Sequence, residues 1–261
     1  MPQIVPVCPP EMQKADMIDG LRKGLEVICA FDDSTPKLTQ SELANRLDLS
    51  RAAARRYLLT LTALGYVAND GKSFWLTPKV MRLGHSYVAS ARLPRTVAPV
   101  LHRLTDTLGE STNLSVLEGY EAVYISRATA PKLLSTGLEP GTRLPAHTVA
   151  AGRVMLSFLP DATLDRWLAG VNLRSYTPQT TTDKNAIKRD IIKMRTQGYG
   201  ISENQFEMGL RGIAVPLIDS AGITVGALGV SMSSASLSAT VAVKRFVPRM
   251  QDAAKRLRGQ L

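Results

Sequence analysis

Thiol and imidazole chemistry have little to work with here. Two cysteines, Cys8 and Cys29, and three histidines, His85, His102 and His147, are spread over 261 residues. Their spacing matches no metal site, and two cysteines make no disulfide framework. Cys8 lies in a proline-rich segment, and Cys29 reads as a small core residue. No glycine-rich loop precedes a helix in phosphate-binding form. No apolar run is long enough to cross a bilayer, and the start of the chain has no signal-peptide pattern, so a cytoplasmic protein is expected. A nucleophile, a base and an orienting group cannot be assembled from these residues. The expectation is no catalytic residue, no metal and no cofactor. There is no internal repeat and no low-complexity stretch.

The length suffices for two domains with real cores. Hydrophobic residues are 44% and charged residues 21%, ordinary for a globular chain. The net charge of +10 favours polyanionic partners in general, but its distribution matters more. Residues 14–82 hold 11 Lys/Arg against 8 Asp/Glu, a surplus of only 3. Residues 244–258 hold 6 basic residues and 1 acid, which suits a solvated helix face equally well.

The local argument is stronger, and it lies in TQSELANRLDLSRAAARRYLLTLTALG, residues 39–65. Thr39 and Glu42 have capping-box spacing. Leu43, Ala44 and Leu47 recur at helical period. Asp48-Leu49-Ser50 makes a turn, and Ser50 caps a second helix. On it Ala54, Tyr57, Leu58, Leu61 and Leu64 share one face, while Arg51, Ala52, Arg55 and Arg56 face away. That face is cationic, carries no acid and is partly small. It suits a major groove, where phosphates attract arginine and a guanidinium can take guanine O6 and N7 together. The alternative is an amphipathic helix with a solvated basic face. Gly65-Tyr66-Val67 then starts a strand, Asn69-Asp70-Gly71-Lys72 reads as a hairpin turn, and Phe74-Trp75-Leu76 returns. Helix, turn, helix and two-stranded wing is the winged helix-turn-helix order, with Lys72 at the wing tip.

Around this core, residues 1–13 read as a disordered arm. Met17–Phe31 reads as a helix with Leu21, Leu25, Ile28 and Cys29 inward, and residues 32–37 as a loop. Pro78 starts a connecting helix to about Arg92, too apolar for a free linker and expected to pack on a partner chain. Pro94 opens a helix to about Leu108 with Val97, Val100, Leu101 and Leu104 on one side. A hairpin follows over residues 113–129, turning at Gly119-Tyr120, then an extended stretch over 132–146 broken at 139–141. Helices are expected over 150–159, 161–169, 183–197 and 241–257, and strands over 213–219 and 223–232. Helices flanking an antiparallel sheet make an α+β domain of the size and order of a GAF- or PAS-like ligand-binding module.

Two stretches of that domain can line a site. Residues 143–153 put small side chains before a helix whose N-terminal N–H groups attract an anion; a close-packed helix start is the plainer alternative. Residues 198–212 are polar and glycine-rich, suited to a pocket wall or simply to a connector. Gly229 and Ser231, two apart on a strand, share a face.

Together the winged segment, the helix after it, GTRLPAHTVAAGRVMLSFLP and GYGISENQFEMGLRGIAVPLIDSAGITVGALGVS resemble the IclR family of bacterial transcription regulators over nearly the whole chain. SRAAARRYLLTLTALGYV and FWLTPKVMRLGHSYVAS look most like the branch controlling protocatechuate, 4-hydroxybenzoate and β-ketoadipate breakdown. Many members carry Glu at the position of Gln205, Cys at Gly212 and Ser at Gly229. Loss of the last two polar groups points away from a small 2-oxoacid and toward a larger, flatter ligand. The expected organisation is an arm over 1–13, a winged helix-turn-helix domain over 14–77, a linker and dimerisation helix over 78–93, and an effector domain over 94–261. The resemblance itself carries the partners. It implies a homodimer or dimer of dimers on double-stranded operator DNA, with RNA polymerase a further partner and no membrane. Ser50, Arg51, Arg55 and Arg56 would meet DNA, with Thr39, Ser41 and Lys72 on phosphates. The effector pocket would be lined by Leu133, Thr136, Leu144, Ala150, Ala151, Ser202, Leu210, Gly212, Gly229 and Ser231, with Arg143 or His147 assisting a carboxylate. The expected function is a regulator of an aromatic-acid catabolic operon that binds a small aromatic carboxylate. The alternatives are an enzyme on such an acid with a fused DNA-binding domain, and a nucleic-acid-associated protein whose second domain only oligomerises.

Overall fold

A computed structural model describes residues 16–32, 34–131 and 138–261. The described chain forms two compact units, one ending at Tyr87 and one beginning at Val88.

In the first unit, helix α1 is Asp19–Cys29, α2 is Gln40–Arg46 and α3 is Arg51–Ala63. Strands β1 (Leu38–Thr39), β2 (Val67–Asn69) and β3 (Ser73–Leu76) form an antiparallel sheet in the order β1-β3-β2. The capping box at Thr39 is complete, and Ser50 Oγ accepts the Ala53 N–H at 3.1 Å. Between α2 and α3, Asp48 adopts φ +51, which a short polar side chain tolerates. Val27, Leu38, Leu43, Ala44, Ala54, Leu58, Leu61, Val67 and Phe74 make the core.

Three expectations change here. Residues 38–39 are a third strand, too short to show a two-residue alternation. Leu21, Leu25 and Cys29 are exposed rather than inward. Helix α1 meets the core mainly through Val27, so its other apolar face is bare in the single chain. Leu64 is likewise exposed, because α3 ends at Ala63 and Gly65 turns the chain with φ +76.

A 3-10 turn at Pro78–Val80 leads into α4, Met81–Ser90, all of whose residues are exposed. Ala91 is extended, with ψ 126, and α5 runs Arg92–Leu108, two residues earlier than the proline suggests. Pro94 sits third in the helix, where its missing N–H would have no intrahelical acceptor anyway.

The second unit is built on a six-stranded antiparallel sheet. Its strands are β4 (Ser111–Glu118), β5 (Glu121–Ala128), β6 (Arg143–Pro145), β7 (Gly200–Glu203), β8 (Leu210–Ile218) and β9 (Thr224–Ser233). Their order is β6-β5-β4-β9-β8-β7. Helices α6 (Ala150–Ser157), α7 (Asp161–Gly170) and α8 (Lys184–Gln197) pack with Ala214, Ala227 and Tyr124 on one face. Helices α5 and α9 (Ala239–Leu257) pack with Ile213, Val215, Leu217, Leu228, Val230 and Met232 on the other. Alternation along β8 and β9 thus feeds two cores, small residues toward α6 and branched ones toward α5 and α9. Strand β7 lies inside the stretch expected to be a polar connector; four residues beginning with a glycine give too little pattern to separate it from a loop.

Candidate functional site

The α3 face opposite the core carries Arg51, Arg55 and Arg56, all exposed. None of the three makes an ion pair or side-chain hydrogen bond among the described residues. Ser50 lies at the same end; its oxygen serves the cap while its hydroxyl proton remains available to an outside acceptor. Lys72 is exposed at the wing tip, where Asp70 Oδ1 accepts the N–H groups of Lys72 and Ser73 at 3.0 and 2.8 Å. Those bonds hold the Asp70 carboxyl below its ordinary range. Ser41 is half-buried on α2. The Thr39 N–H and hydroxyl both reach Glu42 Oε2, at 2.7 and 2.8 Å. In the free chain these bonds orient α2.

In the second unit a narrow cleft of about 20 Å³ lies between the start of α6 and the sheet. Strand register assembles its floor. Ser202 pairs with Gly212 and Gly212 with Ser231, so three strands contribute one row. Gly229 and Asn113 pair in the next row. Leu144, Ala150, Ala151, Ser202, Leu210, Gly212, Gly229 and Ser231 all line this cleft. Leu133 and Thr136 lie outside the described residues.

The small residues each have a reason. A Cβ at Gly212 would stand 3.2 Å from Ser202 Oγ and 3.6 Å from the Ala150 Cβ. One at Gly229 would stand 2.5 Å from Asn113 Oδ1, so glycine makes room for that amide. At Gly152 it would sit 2.3 Å from the Ala146 carbonyl, where the chain folds back on the start of α6. Arg153 N–H makes a helical bond to Val149 at 3.1 Å, leaving the Ala150, Ala151 and Gly152 N–H groups ahead of the ladder. The Ala150 N–H donates to Ser202 Oγ at 3.0 Å, so it is already engaged.

Sequence reasoning missed Asn113, Tyr124, Thr148, Gln205 and Phe206, which also line the cleft. Asn113 and Tyr124 lie on strands read only as a hairpin. With Ser115 they are fully or nearly buried, and strand register brings them to the cleft. Burial pushes the Tyr124 phenol up, and the Ser231 side chain beside it partly opposes this.

Arg143 and His147 belong elsewhere. They line a second, larger and more open cleft of about 430 Å³ with Tyr120, Tyr176 and Asn172. Alternation along residues 143–148 sends Leu144 and Thr148 to the first cleft and Arg143 and His147 to the second. Arg143 donates to Glu121 at 2.7 Å and to Glu118 at 2.8 Å. His147 is buried, with Nε2 3.1 Å from the Arg174 carbonyl. A carbonyl only accepts, so this nitrogen carries the proton and Nδ1 is an acceptor. Burial lowers the His147 pKa, and Arg153 adds to that effect.

A winged helix-turn-helix with a free cationic helix face, on a chain whose other unit holds a cleft of neutral polar groups, defines a DNA-binding regulator of two parts. Family comparison agrees. The IclR helix-turn-helix domain matches residues 20–71, and the bacterial transcriptional regulator IclR C-terminal domain matches residues 85–258. The chain belongs to the IclR family of bacterial transcription regulators. It is 37% identical to the Pca regulon regulatory protein of Pseudomonas putida, over 94% of this chain and 85% of that one. It is 33% identical to the p-hydroxybenzoate hydroxylase transcriptional activator of Acinetobacter baylyi, over 95% and 93%. Among solved structures it resembles the inducer-binding domain of a PobR double mutant from Acinetobacter, in complex with 3-hydroxybenzoic acid. That match has a TM-score of 0.62 and 27% identity, over 66% of this chain and all of that one. No described helix is long and apolar enough to cross a membrane.

Proposed function

We propose that the protein controls an aromatic-acid catabolic operon in the cytoplasm, binding operator DNA as a homodimer or dimer of dimers and a small aromatic carboxylate in the cleft beside α6. Arg51, Arg55 and Arg56 enter the major groove with Ser50 at the helix start, while Ser41 and Lys72 meet phosphates. The ligand's ring lies against Leu144, Phe206, Leu210 and the glycine-lined floor. Its carboxylate takes the Ala151 N–H at the start of α6, and ring hydroxyls meet Ser202, Ser231, Asn113 or Tyr124. Ligand binding shifts the spacing or orientation of paired winged units through α4. RNA polymerase is the further partner whose contacts then change.

The single observation that carries this reading is the cleft itself: glycine-floored, lined by apolar and neutral polar groups with no charge among its described residues, and bordered by a helix N-terminus. The relatives' names and the 3-hydroxybenzoic acid in the PobR domain support the same ligand class. A thermal-shift panel of 4-hydroxybenzoate, protocatechuate, benzoate and β-ketoadipate tests it. A ligand that binds only the folded state raises the melting temperature. At least one aromatic acid is expected to do so; no shift from any of them at millimolar concentration would overturn the assignment.

A further inference from the structure

Among the described residues no charged side chain lines the cleft beside α6. An anion placed there draws on the N–H groups at the α6 start, and further positive potential has to come from side chains behind the lining. One buried cation is tied to that lining by a hydrogen bond. Arg153, 3% exposed on α6, donates Nη2 to Gln205 Oε1 at 2.8 Å and Nε to the His147 carbonyl at 2.6 Å. Its charged partner is Asp190, 3.2 Å from Nη1, with a side chain half open to solvent. Water screens an exposed carboxylate, so the neutralisation is incomplete. Burial pushes the Arg153 guanidinium below its ordinary range and Asp190 only partly opposes this. An arginine remains protonated even so.

Arg211, the other guanidinium buried among the described residues, behaves differently. Arg211 lies between Leu210 and Gly212, both of which line the cleft, so strand alternation turns it to the opposite face. It donates to Glu203 at 2.8 Å, the residue opposite it on β7.

Gln205 stands between Arg153 and the cleft. Its Oε1 also accepts the Thr181 N–H at 2.9 Å, and its Nε2 donates to the Gln179 carbonyl at 2.6 Å. The amide is thereby held in one orientation and adds no charge of its own. We infer that Arg153, acting through the neutral carboxamide of Gln205, is the specificity-determining group that makes this cleft prefer an aromatic carboxylate to the uncharged ligand of the same shape. Arg153 does not touch the ligand. Its field reaches a low-dielectric cleft that an acid at position 205 would cancel. The inference rests on the reading that an aromatic acid occupies this cleft.

The test is calorimetry on the full-length protein with 4-hydroxybenzoate and 4-hydroxybenzamide, reading the ratio of their dissociation constants. Gln205→Glu should cut the preference for the acid about tenfold, which corresponds to ~1.4 kcal/mol. In that variant a carboxylate oxygen meets the Gln179 carbonyl, so a second variant guards against local distortion. Asp190→Asn removes the half-exposed counter-charge and should raise the preference roughly threefold, by the distance and screening of the charge removed. Opposite shifts in the two variants support the inference. An unchanged ratio in both, or shifts of the same sign, overturns it. If neither compound binds the unmutated protein, the effector reading falls and takes the inference with it.

Discussion

Arg51 and Arg55 carry the DNA half of the account one side chain at a time. Replacing either with Ala should weaken binding to the cognate duplex by about 1–3 kcal/mol if that residue reads a base. A phosphate-only contact would instead weaken cognate and random duplexes alike and reduce the salt dependence. Anisotropy titrations at matched salt separate these outcomes. Gly229 sets the shape of the cleft. Gly229→Ser puts a Cβ 2.5 Å from Asn113 Oδ1, so either the amide moves or the site is strained. Overpacking of this kind costs roughly 1–3 kcal/mol, and the variant should melt lower and bind aromatic acids more weakly. His147 gives a pH dependence of known sign. Its folded-state pKa lies below the ordinary 6.5, so the unfolded chain binds the proton more readily. Its contribution to stability is therefore full above about 6.5 and is lost as pH falls toward the folded-state value. Melting curves should drop through this window, and His147→Asn should flatten that part of the profile.

Single elements show which patterns a sequence can carry. The capping box at Thr39, the cap at Ser50 and the hairpin at Asp70-Gly71 were readable because each depends on residues within four positions of one another. Helix α8, with Asp183 at its start and Gly198 at φ +74 after its end, was readable for the same reason. Strands β1 and β7 were not, because two and four residues hold too little periodicity, and β1 forms only against the distant β3. The cleft was half readable. The family motif supplied Leu144, Ser202, Gly212 and Ser231, but Asn113 and Tyr124 reach it through strand register across the sheet, which no local pattern encodes. The assignment of Arg143 and His147 to the same pocket failed because residues two apart on an extended segment share a face that their neighbours do not. Ser50→Ala should cost about 1 kcal/mol of stability through the lost cap. It should also weaken DNA binding by more than that stability loss explains, if its hydroxyl donates to the duplex.

At the scale of the molecule, the described chain leaves two apolar helix surfaces uncovered. Ile18 and Leu21 on or just before α1 are 70% and 61% exposed, and Met81 on α4 is 75% exposed. Exposed apolar surface of this kind marks an interaction face, and a second copy of the chain covers it in the assembly proposed above. Leu21→Ser with Leu25→Ser should shift the protein toward monomer in sedimentation experiments and reduce DNA affinity, while leaving aromatic-acid binding largely intact. The central claim joins the two units: a cationic helix face reads DNA, and a cleft carried by the other part of the chain changes how it does so. The most direct test is an anisotropy titration on a duplex selected by the protein from a randomised pool, with and without saturating 4-hydroxybenzoate or protocatechuate, on the unmutated protein and on Arg51→Ala with Arg55→Ala. The account predicts tight binding whose affinity or stoichiometry changes with an aromatic acid and which the arginine variant loses; equal affinity in both proteins, or curves indifferent to every acid that raises the melting temperature, would contradict it.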